Sequence, residues 1–202
     1  MMRLRSSPAS PFGRKVKIAA AVLGLADRIE VLPADTSNPN DPLRGDNPLG
    51  KIPILILDDG SALYDSRVIL EYLDALAGGN KIIPNGAQRF AALTLQALAD
   101  GIMDASILRV YEVRHRSEDK REPKWVAYQA DKVSRALGWL EPAPPPLVEK
   151  IPDVGRIALA CALGYLDLRF EAKWRPDHPR LVAWLDAFAK KVPAFEATRF
   201  TG

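Results

Sequence analysis

An α/β domain followed by an all-helical one is the fold class that the sequence predicts, and three observations carry the prediction. Up to about residue 77, short β-branched runs alternate with helical periodicity in the order strand, helix, strand, then strand, strand, helix. Gly78-Gly79-Asn80 breaks that pattern, and the chain beyond it is rich in Ala and Leu with apolar residues three and four apart. With 202 residues and 48% hydrophobic composition, there is enough apolar surface for one large or two small cores.

Met2 to Ser6 reads as the first strand. Pro11 to Leu23 reads as a helix, because Val16, Ile18-Ala19 and Val22-Leu23 recur at helical spacing, Ser10-Pro11 suits its start and Gly24 its stop. Ile29 to Leu32 follows as a strand, and Thr36 to Pro42 is too turn-rich to hold more than a short helix. Ile54 to Leu57 and Ala62 to Leu63 flank Asp58-Asp59-Gly60, a tight-turn signal, and Ser66 to Leu76 is the second helix. The order βαβ then ββα is that of a thioredoxin-like domain with a four-stranded mixed sheet, spanning residues 1–77.

A linker over 78–86 leads to an all-α domain over 87–202. Its first helix runs from Gln88 to about His115, and its second from Lys124 to Leu140, with Val126, Val133, Ala136, Leu137 and Leu140 spaced for one face. Pro142-Ala143-Pro144-Pro145-Pro146 forces a stiff extended break. Asp153 caps a third helix reaching about Phe170, and Pro179 or Arg180 opens a fourth that ends near Val192. Arg156 stands near the positive end of the third helix, which by itself costs a few tenths of a kcal/mol, on the order of 0.3.

Charge excludes some classes of function. The 28 basic and 25 acidic side chains leave a formal charge of +3 and are interspersed, with only Arg114-His115-Arg116 and Lys120-Arg121 as short basic clusters. That pattern does not argue for nucleic-acid binding. A single cysteine, Cys161, allows neither an intrachain disulfide nor a Cys-rich metal site and fits a reducing compartment; its apolar neighbours read as a buried helix. The apolar run from Ile18 to Ala26 is too short for a membrane span, so a cytoplasmic chain without membrane or metal is expected.

Lys51-Ile52-Pro53-Ile54-Leu55-Ile56 sets a proline at the entrance of an apolar run. Proline has no N–H for a ladder, so spacing alone reads it as a trans proline opening an edge strand, where an extended peptide could add. Ser10 alone reads as a helix cap, Asp65-Ser66 as capping, Lys51 as a surface charge, and Asp100 with Asp104 as a solvated acidic face. Neither His115 nor His178 stands in a triad context that would make Ser10 a hydrolytic nucleophile.

Together, Asn47-Pro48-Leu49-Gly50-Lys51-Ile52-Pro53 and Asp65-Ser66-Arg67-Val68-Ile69 resemble the glutathione site of soluble, cytosolic-type glutathione S-transferases. His178-Pro179-Arg180-Leu181-Val182-Ala183-Trp184-Leu185 resembles that family's closing helix, and Ala99-Asp100-Gly101-Ile102-Met103-Asp104-Ala105 the long domain-two helix of bacterial members. The resemblance covers the whole chain. It departs at Asp153 and Arg156, where the family usually carries Ser or Thr and, three residues on, Asp.

The resemblance implies the glutathione transferase fold, a homodimer, and a cis Ile52-Pro53 bond that turns the Ile52 N–H and C=O outward. It implies a serine-type site at Ser10-Pro11-Phe12, with the Ser10 hydroxyl donating to the glutathione sulfur; Ser6-Ser7-Pro8-Ala9 lacks the tyrosine of other members, and Ser10 stands where thiol-type members carry cysteine. Cap and sulfur donor then compete for one hydroxyl. Lys51 is assigned to the glycyl carboxylate, Ile52 and Pro53 to the cysteinyl unit, Ser66 to the γ-glutamyl carboxylate, and Asp65 to the amine, with Asp100 and Asp104 as contacts across the dimer. Phe12, Ile102, Met103, Leu108 and Tyr111, and more loosely Trp174, are assigned to an electrophile pocket.

The implied activity is attack of glutathione thiolate on a small hydrophobic electrophile, as in detoxification, with no metal. Two alternatives stay open: a non-catalytic binding or interaction protein of the same fold, and a glutathione-dependent isomerase or dehalogenase.

Overall fold

β1 (Met2–Ser6) is the strand around which the sheet forms. The computed structural model describes residues 1–147 and 151–200. β1 pairs in parallel with β2 (Ile29–Pro33) and antiparallel with β3 (Ile54–Ile56), which pairs antiparallel with β4 (Ala62–Leu63), giving the order β2-β1-β3-β4. Alternation along β1 sends Met2 and Leu4 to the face covered by helices α1 (Pro11–Val22) and α3 (Ser66–Leu76). Ile54 and Ile56 point to the opposite face, where a small cluster forms with Ala34 and Leu43 of the short helix α2 (Leu43–Asp46).

One expectation is corrected by the register. β3 lies between β1 and β4, so Pro53 does not open an edge strand. Pro53 immediately precedes Ile54, which is the first ladder residue and pairs with Arg5, so the missing N–H costs the ladder nothing. The Ile52-Pro53 bond is cis, as is Tyr64-Asp65.

α1 ends as its sequence predicts. Gly24 takes φ +69°, and the amides of Leu25 and Gly24 return to the carbonyls of Ala20 and Ala21, a Schellman stop. At the other end of α1, a Cβ on Gly13 would lie 1.9 Å from the Ser6 hydroxyl, so glycine is what lets the helix lie against β1.

The second domain is built from α4 (Ala87–His115), α5 (Pro123–Leu140), α6 (Val154–Arg169), α7 (Pro179–Lys191) and α8 (Pro193–Ala197). α6 is its apolar centre, with Ile157 to Leu163 buried without interruption, Cys161 among them. α4 and α6 cross closely at Gly155, where a Cβ would come within 2.6 Å of the Ala92 carbonyl oxygen. α4 has the length and apolarity of a membrane span, with mean hydropathy 1.3 over its best window. It instead packs against α5 and α6 and buries Gln96, Asp100, Ser106 and Glu112.

Two details at the domain junction differ from a plain reading. Asp74, buried near the end of α3, accepts the amides of Asn80, Lys81 and Ile82 at 2.7 to 2.9 Å, and Ile82 in turn accepts the Val154 amide that begins α6. Arg156 is no stray charge: Asp153 accepts its amide at 2.9 Å and pairs with its guanidinium, which also donates to the Pro146 carbonyl at 2.6 Å. The i,i+3 pairing offsets the unfavourable helix-end position expected of it.

Candidate functional site

Strand direction brings three segments to one end of the sheet. Ser7–Ser10 leaves the C-terminal end of β1, Lys51–Pro53 enters the N-terminal end of antiparallel β3, and Tyr64–Ser66 leaves the C-terminal end of β4. The β3–β4 ladder stops at Leu55 and Leu63; continued outward, its register would set Ile52 opposite Ser66. The strands part where the sequence places its polar residues.

Ser10 caps α1, its oxygen accepting the Gly13 amide at 3.1 Å. Cap and donor are therefore not exclusive, because a hydroxyl that accepts one hydrogen bond keeps its hydrogen to give, and acceptance polarises it as a donor. The loop before Pro53 is shaped by Asn47, a buried side chain that donates to the Lys51 carbonyl at 3.0 Å and accepts the Leu49 amide at 3.0 Å. Sequence reasoning quoted Asn47 without giving it a role, although an Asn two residues before a turn amide is an Asx-turn signal. Lys51 itself is exposed and makes no ion pair among the described residues.

At the third segment Asp65 caps α3, accepting the Arg67 amide at 2.9 Å, and Ser66 is 2% exposed in the first turn. The Arg67 guanidinium reaches across to α4 and donates to Asp100 at 3.0 Å. The other Asp100 oxygen takes the Lys15 ammonium of α1 at 2.6 Å, with both side chains wholly inside. Asp100 is thus a three-helix junction holding α1, α3 and α4 together, which corrects its assignment as a contact across a dimer.

Asp104, one turn on, is exposed. Desolvation and then the charge of Asp100 push its carboxyl above its ordinary value, while Arg67 and Lys51 pull it down. Among the described residues, no group of three His, Cys, Asp or Glu side chains is placed to hold a metal.

The residues expected to line an electrophile pocket do not assemble. Ile102 and Met103 are core residues, 3% and 0% exposed, because the α4 face that carries them is the face covered by its neighbours. Leu108 and Tyr111 lie on the exposed side of α4, Phe12 packs partly buried against the core above the Lys15 ammonium, and Trp174 is buried, donating to Asp167. A cavity of about 320 Å³ does adjoin Ser10, but its walls come from the β1–α1 loop, α6 and the chain around α8.

A four-stranded mixed sheet followed by a helical domain, with three loops opening at one sheet end, defines a two-domain thioredoxin-like class of protein. The family model for the glutathione S-transferase N-terminal domain matches residues 9–76. The chain is 33% identical to the uncharacterized GST-like protein YibF of Escherichia coli, over 95% of this chain and 98% of that one. A glutathione transferase family member of Pseudomonas fluorescens Pf-5, solved with bound glutathione, shares 44% identity and a TM-score of 0.89 over 98% of both chains. Another structure of a family member from that organism, with bound S-(propanoic acid)-glutathione, shares 43% identity and a TM-score of 0.86, covering 98% of this chain and 99% of that one. The chain belongs to the glutathione S-transferase family.

Proposed function

We propose that this chain binds glutathione at the parted end of the sheet and catalyses attack of its thiolate on a small electrophile, with Ser10 holding the sulfur. The observation that carries the reading is the meeting of Ser10, Lys51–Pro53 and Asp65–Ser66 at adjacent strand ends. Their chemistry fits the tripeptide: Lys51, exposed and unpaired among the described residues, is a cation for the glycyl carboxylate, the Ile52 backbone offers strand-like pairing to the cysteinyl unit, and Ser66 opens a helix suited to the γ-glutamyl carboxylate. Asp65 takes the amine, joined by Asp104 if two copies pair through α4 in a homodimer. Bound glutathione supplies the nucleophile.

The Ser10 hydroxyl donates to the sulfur and α1 adds the positive end of its dipole; both favour thiolate over a thiol that otherwise ionises near about 8.5. Each unit of lowering corresponds to about 1.4 kcal/mol. Ser10→Ala is expected to lower turnover by up to about tenfold per unit of pKa restored, with the glutathione Kd within about twofold. Steady-state kinetics against a chromogenic haloarene, with calorimetric glutathione binding alongside, decides: undiminished turnover in Ser10→Ala refutes the role of Ser10. Absence of glutathione binding at millimolar concentration refutes the site and would leave the non-catalytic interaction protein as the better reading.

A further inference from the structure

The cavity beside Ser10 holds a buried charge that the glutathione site does not use. Arg14, four residues after Ser10 on the same face of α1, lines that cavity and is only 8% exposed. Its guanidinium donates to the Phe195 carbonyl at 2.5 Å and to the Thr198 hydroxyl at 3.3 Å, and stacks 4.0 Å from the centroid of the Phe195 ring. None of these partners carries charge, and Arg14 has no carboxylate within ion-pair distance among the described residues.

The acids nearby are committed elsewhere. Asp167, the one acid on the cavity wall, gives both oxygens to the Arg175 guanidinium at 2.9 and 2.7 Å and also accepts the Trp174 ring N–H. Arg199, also on the wall, is held by Glu196 at 2.9 Å. Among the described residues the wall therefore carries three guanidiniums and one carboxylate, and Arg14 is the cation left over. A buried cation without a counter-charge is costly, and burial lowers the Arg14 pKa from its ordinary value. An apolar occupant would leave that cost in place; an anion relieves it.

We infer that the electrophile this cavity accepts carries a carboxylate, which seats against the Arg14 guanidinium while Ser10 holds the sulfur. The inference rests on the reading of the site as a glutathione transferase and narrows its substrate class from a hydrophobic to an acidic electrophile. An unsaturated carboxylic acid meets the requirement. The thiolate sulfur bonds to the β-carbon, the π pair moves to the α-carbon, which takes a proton from water, and nothing leaves. At about 320 Å³ the cavity suits a short chain. Gly164 keeps the space open, since a Cβ there would lie 2.6 Å from Arg14 Nη1.

The test uses two conjugates of equal length, S-(2-carboxyethyl)glutathione and S-propylglutathione, whose substituent is uncharged, titrated by calorimetry into the unmodified protein, Arg14→Met and Gly164→Ala. The acidic conjugate is expected to bind the unmodified protein about tenfold more tightly than the neutral one, as a charge-assisted contact requires. That preference is expected to fall to about twofold or less in Arg14→Met and to shrink in Gly164→Ala. Equal affinities in the unmodified protein, or a preference unchanged in a folded Arg14→Met, overturn the acidic substrate while leaving the glutathione reading intact. Failure of both conjugates to bind overturns both. Should Arg14→Met not fold, the unmodified protein and Gly164→Ala still decide.

Discussion

The two halves of the candidate site are built in opposite ways. Apart from Ser10, the proposed glutathione half is drawn from one stretch of chain, Asn47 to Ser66, and shaped by short-range contacts such as Asn47 to the Lys51 carbonyl. The cavity half is assembled from distant pieces: Arg14 bonds to residues 181 and 184 positions away. The first half displays its cation, Lys51, to solvent; the second hides Arg14 under α6 and α8. On the proposed function, glutathione meets groups that lie close together in sequence, whereas the electrophile meets a cavity assembled where the two domains close on each other.

The strongest challenge to that contrast is the joint between the domains. Asp100→Ala leaves the Lys15 ammonium buried without its partner and is expected to destabilise the chain by about 3–5 kcal/mol, measured by urea unfolding. A loss under about 1 kcal/mol would show that α1 and α4 are not fastened there. Asn47→Ala removes a donor and an acceptor that span a buried loop, and should cost about 1–3 kcal/mol with weaker glutathione binding. Lys51→Ala should weaken glutathione by about tenfold with unchanged stability, since its side chain is exposed and unpaired among the described residues; equal effects on both would contradict a purely local half.

Asp104→Asn is the gentlest probe. Because the Asp104 carboxyl is raised in the fold, protons bind it more tightly folded than unfolded. Below the ordinary value of 3.8 both states are protonated and the variant should match the parent; as pH rises through the folded value the parent loses stability that Asn does not. Melting curves at pH 3 and pH 7, roughly either side of that window, read the sign.

What the sequence made legible follows the same division. Helix limits fell within about one residue of expectation at α1, α4, α5 and α7, because capping residues and apolar spacing are local signals. The place of β3 inside the sheet was not legible, since its neighbour β1 lies some fifty positions earlier and a lone proline reports only that no N–H is needed. Ile102 and Met103 were assigned to a pocket because nothing near them in sequence reports that α6 packs against α4 and closes them into the core. Arg14 passed unread for the same reason: nothing near it in sequence indicates a cavity. The Asp153–Arg156 pair, three residues apart, was within reach of a spacing rule and was misjudged by weighing the helix end alone.

Asp74 gives the domain junction a property of its own. A single carboxylate on the last turns of α3 gathers successive amides just past Gly78-Gly79, and the same segment receives the first amide of α6. The boundary behaves as a mortised joint, not a tether. In building hybrids with relatives, a crossover at the glycines would part the carboxylate from its amides and hand α6 an unseated start. The transplantable first module ends after Ile83, and the recipient must supply the matching edge at Val154.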